Sequence, residues 1–249
     1  MNKLKIIENH DFYSELIKDS NIYFADKDNN KKFEIYDIEI PKNIEFDELE
    51  YYIHNVGFYA NYFLKWLKQL DFAIDILSNY DYNKETKYNR IDHLTYNIEN
   101  YIIRFQSVTD RLIQLINGVF HLTIHESNVN GNVVMSSLKV SRSSVPSKLS
   151  PIKKHLKKLY NERNTIIHRH SYLEKELRKL ELFYDFDKNT IDKQIKNFRT
   201  QKLKDYIKEK REDYSLNNEK LFELLPALLD ELLIEYKKQR NKLIKITRQ

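Results

Sequence analysis

The stretch Ile53-His54-Asn55-Val56-Gly57-Phe58-Tyr59-Ala60-Asn61-Tyr62-Phe63-Leu64-Lys65-Trp66-Leu67 decides the fold, because its apolar residues return at intervals of three and four. That is the period of a helix with one face in a core. The same spacing reaches back to Leu49 and forward through Leu70, Ala73 and Ile74 to Leu77, so one long amphipathic helix is predicted from Phe46 onward, with Gly57 as its weak point. Beyond a polar connector, Asp81 to Tyr88, the pattern resumes at Ile91 and runs through Leu94, Ile98, Phe105 and Leu112 to Phe120. Two long helices joined by a short polar loop form an antiparallel hairpin.

Outward from this pair the chain reads less regularly. Asn21 to Ala25 and Phe33 to Ile40 are rich in β-formers, the second alternating apolar and acidic residues, and they predict a β-hairpin closed by Pro41. Ser127 to Pro146, with Asn130-Gly131 and repeated serines, predicts a mobile loop. Ser150 and Pro151 suit the N-cap and first position of a further helix. Its apolar positions run from Ile152 to Phe183, and their phase slips at Asn161 to Ile167, which predicts a kink. After another break at Asp185 to Thr190, two last helices are expected, one basic and one carrying Leu221 to Tyr236 with a kink at Pro226. The expected division is an N-terminal β-rich appendage (1–45), a helical bundle (46–184) and a C-terminal basic helical extension (185–249), mainly α in class.

Composition sets the limits. A chain of 249 residues can bury a substantial core, and it contains no cysteine, which removes thiol chemistry, disulfides and Cys-ligated zinc. Three glycines are too few for Gly-rich dinucleotide loops and P-loops. No apolar run approaches the roughly 18 residues of a membrane span. Glu8 interrupts the N-terminus before a signal-peptide core can form, so a cytoplasmic protein without membrane association is expected. The net charge of +5 is unevenly spread. Residues 1–147 hold 16 basic and 21 acidic side chains, a net of −5, whereas residues 148–249 hold 26 and 16, a net of +10. Lys148 to His170 has seven basic residues against Glu162, so the excess that would attract a polyanion is local.

Inside that basic segment lies Asn161-Glu162-Arg163-Asn164-Thr165-Ile166-Ile167-His168-Arg169-His170. On a regular helix Asn164 and His168 are about 40° apart and share a face, while Arg163 is about 140° from His168. A bend, or a second copy of the chain, would bring the cation, the amide and the imidazole around one space. Such a set suits phosphodiester cleavage. Histidine, with an unperturbed pKa of about 6.5, exchanges a proton near neutral pH, and arginine holds phosphate oxygens bidentately.

The string Arg163-Asn164-Thr165-Ile166-Ile167-His168 resembles the Arg-(4 to 6 residues)-His motif of the HEPN superfamily, with its preferred polar residue directly after the arginine. The two helices before it agree, since Tyr62 to Leu70 and Arg111 to Asn117 are similar to the first two helices of a stand-alone bacterial HEPN branch. The resemblance covers roughly Phe46 to Leu180. It implies an up-and-down helical bundle and a metal-independent, cofactor-free endoribonuclease that works as a homodimer. In such enzymes the RNA 2′-hydroxyl attacks its own phosphate. Arg163 would then bind and polarise the phosphate, His168 would act as general acid or base, and Asn164 would orient the phosphate or hydroxyl. Lys153, Lys154, Lys157, Lys158, Arg169 and His170 would extend the RNA contact. Many family members are toxins or phage-defence effectors held by an antitoxin, often nucleotidyltransferase-like. The alternative is a non-catalytic helical module for nucleic acid or protein, or a regulatory subunit of a nucleotidyltransferase. In a non-catalytic domain Arg163 would pair with Glu162 or another carboxylate, and Ile166 and Ile167 would pack the core.

The remaining candidates read as structural. His121 and His125 stand four apart, as two zinc ligands on one helix face would, but position 122 is Leu where the zinc-protease signature needs Glu. No acidic spacing suits a two-metal site, so no metal is expected. Tyr59, Tyr62 and Tyr101 fall on apolar helix faces and read as core or dimer contacts.

Overall fold

The structure, a computed structural model, describes residues 3–24, 46–77, 88–172, 174–185 and 193–247. The regular elements among these residues are all helical: α1 (Lys3–Glu8), α2 (Asp11–Phe24), α3 (Glu48–Ile76), α4 (Arg90–Val119), α5 (Gly131–Ser136), α6 (Leu138–Ser141), α7 (Val145–Leu156), α8 (Tyr160–His168), α9 (Lys175–Asp185) and α10 (Lys193–Thr247). Short 3-10 turns lie at Glu126–Asn128 and Lys157–Leu159.

The two long predicted helices are present as α3 and α4, and reciprocal caps fix where each begins. Glu50 N–H donates to Asp47 Oδ1 at 2.8 Å while Asp47 N–H donates to Glu50 Oε2 at 3.2 Å. Asn89 and Asp92 repeat the exchange at 3.0 and 2.8 Å. Each pair satisfies amides that the first turn leaves without helical partners. At the far end of α4, Leu122 N–H reaches the Asn117 carbonyl (3.1 Å) and His121 N–H reaches that of Gly118 (3.0 Å). This is a Schellman stop, and His121 occupies its left-handed position with φ 47°.

Several expectations are corrected. Asn21 to Phe24 are the last turn of α2, not a strand, and no described residue is in a strand; Phe33 to Ile40 lie outside the described residues. Helix wins because Phe12, Tyr13, Leu16 and Asp19 all bury on one face of α2, and tertiary packing overrides local β-propensity. Ser127 to Pro146 is no loop: it holds α5, α6 and the start of α7, with Asn130 Oδ1 accepting from Val133 N–H at 3.0 Å and Val134, Val140 and Val145 buried. The helix expected to begin at Pro151 begins at Val145, because Val145, Leu149, Ile152 and Leu156 form one buried stripe and Pro151 is carried inside it. The two expected C-terminal helices are one, α10, which passes Pro226 without interruption.

Contacts group the chain into two units of interleaved segments. The first comprises residues 1–67, 107–155 and 221–249 and the second 68–106 and 156–220, so α3, α4 and α10 each contribute to both. In the first unit, Tyr236 of α10 stacks on Tyr52 of α3 (centroids 5.6 Å apart), meets Phe12 of α2 edge-on and donates to buried Asp19 at 2.8 Å. Arg240 completes the satisfaction of Asp19 (2.5 Å) and reaches Glu15 (2.6 Å). Gly118 is needed here for close approach, since a Cβ would lie 3.2 Å from the Tyr59 ring. In the second unit, buried Tyr101 stacks on Tyr214 (3.8 Å) and donates to Asn218 Oδ1 (3.0 Å), and Asn218 donates to the Leu70 carbonyl (3.0 Å). That chain of contacts ties α3, α4 and α10 together with every buried polar atom named here paired.

Candidate functional site

The motif residues lie on α8, in the second unit. The break anticipated inside Asn161 to Ile167 falls earlier, in the 3-10 turn Lys157–Leu159, and α8 runs regularly through the motif. No residue of α8 is buried. Its sequence explains this, since polar side chains surround the axis and leave no continuous apolar stripe. Arg163 and Asn164 are half-buried and His168 is exposed. Arg163 Nη1 donates to Asn164 Oδ1 at 3.2 Å. Arg163 and His168 leave the axis about 140° apart, so one chain does not place both on one face. Ile166 is half-buried and Ile167 is 44% exposed, so neither packs the core as a purely structural helix would require. The helix ends where the Arg169 and His170 amides both donate to the Thr165 carbonyl, at 3.0 and 3.1 Å.

Beside the motif, the second unit contains a cleft of about 720 Å³. Asn161, Glu162 and Thr165 line it from α8, and Lys210, Asp213 and Asn217 line it from α10. His170 and Tyr172 close one side. Its base is a charged hub at Glu174. Lys210 Nζ donates to Glu174 Oε1 (2.9 Å), Tyr172 donates to Oε2 (3.0 Å) and Tyr206 also donates to Oε2 (2.5 Å). Burial raises the Glu174 carboxyl, but these three donors and the Lys210 charge outweigh it and hold the group below the ordinary carboxylate value. Burial first, and the Glu174 charge next, push the Tyr172 and Tyr206 phenols upward, so both remain neutral donors at physiological pH. Tyr172 N–H donates to Glu99 at 2.6 Å. The segment that follows α8 is thereby pinned to α4 and α10.

Glu162 behaves differently. It does not take Arg163, whose bond is to Asn164, and its Oε2 is buried with no hydrogen-bond partner. An unsatisfied buried acceptor costs about 1–3 kcal/mol, so this atom is the cleft's conspicuous vacancy for a donor.

The other sequence candidates separate. Lys157 and Lys158 are exposed on the 3-10 turn, and Lys158 lines the cleft together with His170. Arg169 is exposed at the end of α8. Lys153 and Lys154, half-buried and exposed respectively, belong to α7 in the first unit. Arg163, Asn164 and His168 do not line the cleft. His121 and His125 follow the end of α4 and share no helix face: His121 sits in the Schellman turn, 5.2 Å from the Tyr52 ring, and His125 caps the 3-10 turn Glu126–Asn128. Among the described residues no group of three or more His, Asp or Glu is gathered as a metal site would require. None of the described helices is long and apolar enough to cross a membrane.

The model of the family described as HEPN_Cthe2314-like HEPN matches residues 5–233. The chain belongs to this HEPN family. The match is wider than the span from Phe46 to Leu180 that carries the motif resemblance, and it takes in α2 and most of α10. Neither the curated proteins nor the solved structures gave a match. Within this HEPN chain, sequence reading locates the motif helix but not Glu162's place in the cleft or the Glu174 hub. Glu174 and Lys210 are 36 positions apart on different elements, and no local period announces such a pair.

Proposed function

We propose that this HEPN protein is a metal-independent endoribonuclease whose composite site forms from two copies of the chain. One observation carries the reading: α8 offers Arg163, Asn164 and His168 on a helix with no buried residue, so the motif is not part of a core. In one copy Arg163 and His168 diverge; across a two-fold axis the Arg163 of each copy can face the His168 of the other. Arg163 would then hold the scissile phosphate and stabilise its developing charge. His168 would take the proton of the attacking 2′-hydroxyl or give one to the leaving 5′-oxygen, and Asn164 would orient the reacting groups. Lys153, Lys154, Lys157, Lys158, Arg169 and His170 are assigned to the RNA backbone. The setting in this reading is a toxin or phage-defence effector controlled by a partner.

The test is cleavage of RNA in EDTA. The expected result is 2′,3′-cyclic phosphate ends, lost in His168→Ala and in Arg163→Ala while both variants stay folded. Cleavage retained in both would overturn the proposal. The divergence of Arg163 and His168 within one chain favours the second reading, a non-catalytic nucleic-acid or protein-binding module. In that case the two variants bind RNA as wild type does, and charge reversal at Lys153, Lys154, Lys157 and Lys158 weakens binding and its salt dependence.

A further inference from the structure

We infer that the cleft beside α8 is a nucleobase pocket selective for guanine, with the Glu162 carboxylate reading the base. The inference deepens the nuclease proposal and rests on it for the identity of the substrate, but the pocket itself can be tested without cleavage.

Three observations converge. First, the cleft, at about 720 Å³, is large enough for a nucleotide and is walled by hydrogen-bonding side chains, with the flat rings of Tyr172 and His170 on one side. Second, its carboxylates are not equivalent. Glu174 is fully engaged by Lys210, Tyr206 and Tyr172, and Asp213 is exposed to water, whereas Glu162 has a buried oxygen without a donor. Third, Glu162 immediately precedes Arg163, so their Cα atoms are about 3.8 Å apart. A base held at Glu162 belongs to a nucleotide whose phosphate is within reach of the Arg163 guanidinium.

The chemistry of the bases then selects among them. A carboxylate offers two acceptors and no donor. Guanine alone presents two adjacent donors, N1–H and the 2-amino group, on its Watson–Crick edge. Adenine and cytosine place a ring acceptor next to their amino group, and uracil flanks its one N–H with two carbonyls, so each would set an acceptor against Glu162. Lys158, at the cleft and exposed, supplies a cation for the same nucleotide's phosphate.

The experiment is calorimetric titration of the full chain with GMP, IMP, AMP, CMP and UMP. GMP should bind at least tenfold more tightly than the others. IMP lacks only the 2-amino group and should lose about tenfold, which tests the contact without altering the protein. Glu162→Gln should remove the preference for GMP, and Asp213→Asn should leave it intact. Equal binding of GMP and IMP, or a GMP preference retained in Glu162→Gln, would overturn the pocket. Mapped RNA cuts separate the two proposals. Cleavage without guanine at the cut site refutes the pocket and keeps the nuclease, whereas GMP selectivity without cleavage keeps the pocket and refutes the nuclease.

Discussion

His168 projects from a helix that buries nothing, so replacing it removes a proton carrier without opening a cavity. His168→Ala and Arg163→Ala should each leave stability within about 0.5 kcal/mol of wild type, as surface substitutions do, and should lower RNA cleavage by roughly 10²- to 10⁴-fold. Denaturant melts and single-turnover assays on the same preparations check both halves. Glu174 should behave in the opposite way. Glu174→Gln leaves the buried Lys210 ammonium without its counter-charge, and with the Glu174 side chain 31% exposed the loss should be about 2–3 kcal/mol, below that of a fully buried pair. Equilibrium unfolding measures it, and a loss under 1 kcal/mol would show that the hub does not anchor the segment after α8. Legibility follows the same contrast. Arg163 and His168 can be found from sequence because the motif is contiguous. Glu162 is misread as the arginine's partner because adjacent residues on a helix point about 100° apart and do not face each other.

Periodicity locates the long elements and misjudges the short ones. The three-and-four spacing identifies α3 and α4 because each buries one continuous stripe, from Leu49 to Leu77 and from Ile91 to Val119. The segment before α7 looks like a loop because α5 and α6 are single turns, too short for any period, and are held by the Asn130 and Ser137 caps and by buried Val134 and Val140. The N-terminal β-formers become helix for the tertiary reason already given, and Pro226 fails to divide α10 because buried Leu221, Leu225, Leu228, Leu229 and Leu232 continue one stripe across it. Proline inside a helix removes a hydrogen bond and costs up to about 3 kcal/mol. Pro226→Ala should therefore raise the melting temperature, by about 2–4 °C for each kcal/mol recovered. Calorimetry on the variant checks this, and a lower melting temperature would mean that the proline ring packs in a way alanine cannot replace.

At the scale of the whole molecule, each unit carries one histidine and one carboxyl displaced downward. Burial lowers His121 in the first unit and His93 in the second below 6.5. For Glu15 in the first unit burial acts upward, but the Arg240 hydrogen bond and charge outweigh it and leave the group below 4.5, as Lys210 and its neighbours do for Glu174 in the second. All four bind a proton more readily when unfolded, so their contribution is complete above about pH 6.5 and declines as pH falls, the histidines first and the carboxyls below 4.5. Denaturation midpoints at pH 7.5, 5.5 and 4 should therefore decrease in that order, and a flat profile would contradict the assignment. The interleaving of the two units also orders events on the ribosome. Residues 221–249, which supply Tyr236 and Arg240 to the first unit, emerge after every residue of the second. At about 5–20 residues per second the nascent chain passes roughly 1.5–6 s with the motif-bearing unit fully emerged and the other still lacking a wall. Any partner that restrains this protein during synthesis would meet the motif helix before the first unit has its complete set of residues.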